Sequence, residues 1–196
     1  MGELGKIREV FAHSGFGSKD EISEWHKSDE PGVRSAAVLV PLINHPKKAT
    51  ILLTKRSSSL PDHAGQVAFP GGQIESRDVY PEDTALREAQ EEVGLDPSKI
   101  ELIGRLSPRQ TGTGFHVIPV VGILQPPLNL EADPAEVEVV FEVPLSELAR
   151  EANFSLENVC NDGIKRSYWV LKHDSFFIWG LTARILKEFS SLLRLL

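Results

Sequence analysis

The chain has 196 residues, of which 41% are hydrophobic and 25% charged, a globular composition that excludes a largely disordered chain. Its 21 Lys and Arg face 28 Asp and Glu, giving a formal charge of −7, which excludes a uniformly basic nucleic-acid binder. An anionic substrate therefore has to be met by a local cation or a small basic cluster.

The single cysteine, Cys160, allows neither an internal disulfide nor a Cys-rich metal framework, so a reducing compartment fits. It reads as a packing residue. The longest apolar runs, such as Ala36 to Ile43, fall far short of the roughly 20 residues of a membrane helix. Met1 to Lys6 has no apolar signal core, and Lys6 stands where a myristoylation signal has Ser or Thr. These features read as a cytoplasmic protein with neither a membrane nor a nucleic-acid partner.

Residues 1–32 are polar and end in the turn signal Asp29-Glu30-Pro31-Gly32, so they read as a peripheral helical extension to a domain spanning 33–196. Ala36 to Ile43 is β-branched-rich and closed by Asn44-His45-Pro46, and with Ala49 to Arg56 it reads as a hairpin. Pro81 to Val93 has helical periodicity. Further strands are expected at Ile100–Leu106, His116–Leu124, Val137–Phe141 and Tyr168–Leu171, and a last helix over Leu181–Leu195. The pattern is that of one α+β domain, a mixed sheet with helices packed on it.

The helix over Pro81–Val93 is the most informative segment. Pro81, Glu82 and Asp83 suit its first turn, Gly94 and Asp96-Pro97 stop it, and Ala85, Leu86, Ala89 and Val93 form its buried face. Glu88, Glu91 and Glu92 lie at i, i+3 and i+4, where like charges repel, and two of them sit at the negative end of the helix dipole. A hard divalent cation such as Mg²⁺ or Mn²⁺ corrects both faults; a solvated acidic face is the simpler alternative. Phe69-Pro70-Gly71-Gly72 just upstream lets backbone approach a metal or phosphate, and Arg87 can hold the carboxylates in register.

Gly72, Asp78 and Arg87-Glu88-Ala89-Gln90-Glu91-Glu92-Val93-Gly94-Leu95 resemble the Nudix box, Gly-x5-Glu-x7-Arg-Glu-U-x-Glu-Glu-x-Gly-U with U aliphatic. Asp78 stands where the pattern has Glu, and eight residues rather than seven separate it from Arg87. Leu52 to Gly72 is similar to the extended signature of the coenzyme A pyrophosphatase branch, as are Gly114–Gly122, Phe141–Leu145 and Trp179–Ala183. The resemblance runs from about Arg34 to the C-terminus.

The resemblance implies a Nudix α/β/α sandwich, with a mixed sheet between helices, that hydrolyses a nucleoside diphosphate linked to another group. The branch implies coenzyme A or its thioesters, cleaved with Mg²⁺ or Mn²⁺ to 3′,5′-ADP and (acyl-)4′-phosphopantetheine. A hydrolase of ADP-ribose or NADH, and a silent nucleotide sensor, are the rivals. Glu88 and Glu92 would bind the metal, with Glu91 as a further ligand or the base and a Gly72 carbonyl completing the set. Arg87 and Glu136 join Glu91 as catalytic candidates, Glu136 reading equally as a surface carboxylate and competing with Glu138. Arg56, Ser57, His63, Gln66 and Gly71 would bind substrate, with Lys55 a strand-edge charge. Arg56 is the first candidate to meet the 3′-phosphate, ahead of Arg77 and Arg109. Tyr168, Trp169, Phe176, Phe177 and Trp179 read as core before adenine platform. The stripe Leu181, Ile185, Phe189, Leu192 and Leu196 should dock on its own sheet or on another subunit, which suggests a homodimer.

Overall fold

The computed structural model describes residues 2–13, 33–161 and 164–194, without the side chains of 160, 161, 164 and 165. The expectations for residues 14–32, for packing of Cys160 and for Leu195 and Leu196 lie outside the described residues. Strands β1 (Arg34–Asn44) and β2 (Ala49–Arg56) form the expected antiparallel hairpin, with Leu42 opposite Ile51. β1 is covered on both sides, which is why it reads as an unbroken apolar run rather than an alternating one.

The chain leaves β2 through the loop 57–66 and returns as the short strands β3 (Val67–Ala68) and β4 (Gly71–Gln73), which pair with β2 and β1 respectively. Helix α2 (Pro81–Val93) follows, then β5 (Glu101–Arg105), β6 (Arg109–Gln110) and β7 (Phe115–Leu124). β7 runs parallel to β1 over ten residue pairs, from Arg34 opposite Phe115 to Ile43 opposite Leu124, and this pairing makes the sheet mixed. β8 (Val137–Pro144) lies antiparallel along β2. The sheet order is β3-β2-β1-β7-β5, with β4 on β1, β6 on β7 and β8 on β2.

Two apolar layers flank this sheet. On one side Ala85, Ala89 and Val93 of α2 pack with Ala37, Leu39, Ile118 and Val120. The larger layer packs α1 (Glu3–His13), α3 (Leu145–Leu148), α4 (Gly180–Leu193) and a three-stranded sheet of β9 (Phe154–Asn161), β10 (Ile164–His173) and β11 (Phe176–Trp179) with Val40, Leu42, Ile51 and Leu53. The arrangement is the expected α/β/α sandwich. Among the described residues no helix is long and apolar enough to cross a membrane.

Three features differ from the sequence reading. α1 is not peripheral: Leu4, Ile7 and Phe11, at helical spacing, are each about as buried as the central strands. The apolar stripe of α4 is used within the chain, since Ile185 and Phe189 are fully buried and Leu181 and Leu192 pack against the same core, which removes the observation that suggested a homodimer. β9 and β11 were not expected from the sequence, because Phe154–Asn161 is half polar without regular alternation and Phe176–Trp179 is only four residues long. The aromatics divide, with Trp169 and Phe176 packing on the core while Phe177 and Trp179 are exposed.

Burial of α1 has a measurable consequence. Phe11→Ala removes a ring from a filled core and should lower the unfolding free energy by about 3 kcal/mol. A urea midpoint equal to that of the wild type would detach α1 from the core.

Candidate active site

Helix α2 begins and ends as its sequence predicts. The Asp83 carboxylate accepts from the Val79 and Tyr80 N–H groups at 2.9 and 2.8 Å, which closes the start. Gly94 adopts a left-handed conformation with φ 71°, and its N–H donates to the Gln90 carbonyl at 3.0 Å while Leu95 N–H reaches Ala89 at 3.2 Å. With Ala85, Ala89 and Val93 turned to the core, Glu88 and Glu92 are carried along the border of that face.

That border lies against β4. A Cβ on Gly72 would strike the Glu88 carboxylate, and one on Gly71 would strike the Ala37 carbonyl and Val38. Gly71 is therefore required by the close approach of β4 to β1, and Gly72 leaves room for the Glu88 carboxylate of α2. Glu92 is enclosed by this approach, its side chain only 5% exposed. Burial pushes its carboxyl up to about 8; Arg56 opposes the rise, Glu136 and Glu88 add to it, and a Gly71 N–H bond opposes it. Arg56 Nη1 stands 3.8 Å from Glu92 Oε1. Glu88 is also raised, first by burial, with Arg87 pulling down and Glu91 and Glu136 pushing up.

Glu136, at the start of β8, is thus near enough for its charge to act on both Glu88 and Glu92. Its carbonyl accepts from Ser57 N–H at 2.7 Å. Glu138 faces elsewhere, bound by Lys55 Nζ at 2.6 Å and Ser58 Oγ at 2.8 Å.

Arg87 organises the other side of the helix. Its Nε and Nη2 donate to the two oxygens of Asp78 at 3.3 and 2.9 Å, Nη2 also reaches the Gln73 carbonyl at 3.3 Å, and Nη1 donates to Glu88 at 2.7 Å and Glu91 at 3.1 Å. All three nitrogens are engaged by protein acceptors. These contacts let Arg87 hold the surrounding carboxylates in register. Asp78 also accepts from Thr84 Oγ1 and the Glu75 N–H, and with Arg87 as the leading cause its carboxyl is held down at about 2. The shorter acid and the longer loop therefore still deliver a carboxylate to Arg87.

The remaining candidates separate. Glu91 is 54% exposed at its side chain and shared between Arg87 and Arg77, at 3.1 and 3.5 Å, so it borders the buried pair instead of joining it. Ser57 Oγ pairs with Ser59 Oγ at 2.8 Å. His63 and Gln66 bond to each other at 3.0 Å, bracing the loop 57–66 and not reaching the acids. Arg77 is held by Glu75 and Glu91, and Arg109 by Glu188, whereas Arg56 brings its charge to the acid cluster.

The donor chemistry fits a hard divalent cation, because a buried carboxylate with two like-charged neighbours and a single guanidinium at 3.8 Å is short of positive charge among the described residues. Glu88 and Glu91 are turned to Arg87, so among the described residues no three acidic or imidazole side chains converge on one point.

A mixed sheet between helices, with a glutamate-rich helix pressed on a Gly-Gly strand, is a fold class with known members. The NUDIX domain model matches residues 33–160. The uncharacterized Nudix hydrolase NudL of Citrobacter koseri is 45% identical over 155 residues, covering 79% of this chain and 80% of that protein. The NudL protein of Salmonella newport is 44% identical over the same shares. Among solved structures, the Nudix hydrolase RenU of M. smegmatis has a TM-score of 0.50 at 23% identity, covering 59% of this chain and 73% of that one. A MutT/nudix family protein of Enterococcus faecalis has a TM-score of 0.50 at 19% identity, covering 98% and 75%. These two show the fold, and the sequence relatives show the family. The chain belongs to the Nudix hydrolases.

The position of Glu92 makes stability depend on pH. A carboxyl whose folded value lies above its unfolded one binds protons more tightly when folded, so its contribution falls as pH rises from 4.5 to about 8. Asp78 acts in the opposite sense, its contribution full above 3.8 and lost as pH falls toward about 2. Between pH ~5 and ~8 without divalent cation, the protein should lose stability to urea, and Mg²⁺ should restore most of it at the upper end. Glu92→Gln should flatten the decline; an unchanged slope in that variant would exclude Glu92 as its source.

Proposed function

We propose that this protein hydrolyses the diphosphate bond of coenzyme A and its thioesters, with Mg²⁺ or Mn²⁺, to 3′,5′-ADP and 4′-phosphopantetheine or its acylated form. The observation that carries the reaction type is the enclosed Glu92 beside Glu88, Glu136 and Arg56. The coenzyme A branch rests on the signature from Leu52 to Gly72 and the shorter matches beyond it. The reading takes residues 33–196 as the catalytic unit, working in the cytoplasm, with α1 completing its core.

Cleavage of a diphosphate brings a nucleophile toward negative oxygens and leaves charge on the departing phosphate. A divalent cation, when bound, supplies the positive charge that neutralises those oxygens. Glu88 and Glu92 would hold it, with Glu91 and the Gly72 carbonyl as further donors. Glu136 accepts the proton of the water that attacks phosphorus as the bridging P–O bond breaks. Arg56, placed beside Glu92, binds the diphosphate rather than the 3′-phosphate expected from sequence. Ser57, His63, Gln66 and Gly71 shape the rest of the substrate wall through the braced loop and the Gly-Gly strand.

Glu92→Gln keeps size while removing charge, and turnover at saturating Mg²⁺ should fall at least about 100-fold. Turnover equal to the wild type would take Glu92 out of the reaction. A panel of coenzyme A, dephospho-coenzyme A, ADP-ribose and NADH, with products identified by mass, tests the substrate. Losing the 3′-phosphate should lower kcat/KM by about 10- to 100-fold, the worth of one charge-assisted contact. Arg56→Ala should lower kcat/KM on coenzyme A and dephospho-coenzyme A alike. A preference for ADP-ribose or NADH would overturn the coenzyme A assignment and leave a Nudix hydrolase of another nucleotide.

A further inference from the structure

The segment between β7 and β8 carries Glu136, and one residue in it, Asp133, bonds toward both Glu92 and Glu136. The Asp133 N–H donates to the Glu92 carbonyl at 3.0 Å, satisfying one of the carbonyls that the end of α2 leaves open. The Asp133 carbonyl accepts from the N–H groups of Glu136 at 3.1 Å and Val137 at 2.8 Å. Its side-chain Oδ1 accepts from Ala135 N–H at 2.9 Å. Three consecutive N–H groups therefore end on one residue, which is itself anchored to the helix that carries Glu92.

The surroundings leave this turn little freedom. Glu131 N–H donates to the Val93 carbonyl at 3.0 Å, and a Cβ on Gly94 would lie 2.9 Å from the Glu131 nitrogen. On its other side the Glu136 carbonyl is fixed by Ser57 N–H at 2.7 Å. Side chains cannot supply such an attachment, since Glu136, Glu88 and Glu92 repel one another. Neutral backbone bonds can hold like charges close where ion pairing is impossible.

We propose that Asp133 is a positioning residue that sets Glu136 at a fixed distance from Glu92, joining the proton acceptor to the metal-binding helix through backbone hydrogen bonds. The inference rests on Glu136 being the proton acceptor proposed above. What this role needs of the Asp133 side chain is the Oδ1 acceptor for the Ala135 N–H. An asparagine keeps that acceptor. A displacement of about 1 Å at a reacting group can cost as much as about 100-fold in rate, so loosening this turn should be visible in kcat.

The test compares Asp133→Ala, Asp133→Asn, Glu136→Gln and the double variant Asp133→Ala/Glu136→Gln in the full chain. Asp133→Ala should lower kcat about 10-fold with KM within about 2-fold, and Asp133→Asn should restore it. In the Glu136→Gln background, Asp133→Ala should cost less than about 2-fold, because it acts through Glu136. Hydrogen exchange without divalent cation gives a second readout, in which the Ala135 and Glu136 amides should exchange faster in Asp133→Ala and as in the wild type in Asp133→Asn. Glu136→Gln with wild-type turnover would overturn the proton-acceptor reading and this inference with it. If Glu136→Gln is impaired, the inference alone is overturned by wild-type kcat in Asp133→Ala, by failure of asparagine to rescue, or by losses that multiply in the double variant.

Discussion

The approach of helix α2 to strand β4 governs the rest of the site, because it decides which glutamates leave water. Gly72 has no side chain to keep the helix away, and the space its Cβ would take is filled by the Glu88 carboxylate, while the space at Gly71 is filled by the Ala37 carbonyl and Val38 of β1. β4 can come this close because it is paired to β1, with Gly72 opposite Ala37 and Gly71 opposite Val38. Below the helix, Ala85 and Ala89 give the smallest possible contact with the sheet. Small residues on both partners thus bring a row of carboxylates against a backbone surface, and Glu92 is enclosed by the fold around it.

Enclosing a carboxylate is costly unless something opposite in charge is near, and what is near is arranged asymmetrically. Arg87 spends its donors on Asp78, Glu88, Glu91 and the Gln73 carbonyl, on one side of the helix. Its own proton is held more tightly than in water, first through Asp78. Among the described residues Glu92 receives Arg56 at 3.8 Å and a Gly71 N–H, while Glu136 and Glu88 work against it. One side of α2 is neutralised by protein and the other is left to be neutralised by something else. An ion-paired set of carboxylates and a less neutralised one are built on the same two turns of helix.

The sequence made the local parts of this legible and missed the parts that depend on contacts between distant segments. Caps and 3.6-residue periodicity located α2 to the residue, and the unbroken apolar run of β1 located the central strand. Spacing alone could not rank Glu88, Glu91 and Glu92, since all three share one side of a helix; burial against Gly71 and Gly72 is what separates Glu92 from the exposed Glu91. Asp78 looked like a departure from pattern because its partner is known only once Arg87 is placed in space. α1 was misread as peripheral because the three residues it buries, Leu4, Ile7 and Phe11, are a weak signal until the surface that covers them is known.

Asp133 shows why the remaining part was hidden. Nothing about Asp-Pro-Ala-Glu in a polar segment points beyond a turn, and the bond that gives it meaning runs from its N–H to the carbonyl of a helix forty residues earlier. Backbone groups at the end of a helix are the same in every sequence, so a segment that docks on them leaves no mark in residue choice except where space is tight. Gly94 is that mark. Its left-handed backbone ends the helix, and its missing Cβ lets Glu131 pass at contact distance. The same glycine that terminates α2 therefore admits the segment that carries Glu136, so the placing of Glu88 and Glu92 and the placing of Glu136 near them meet at one residue.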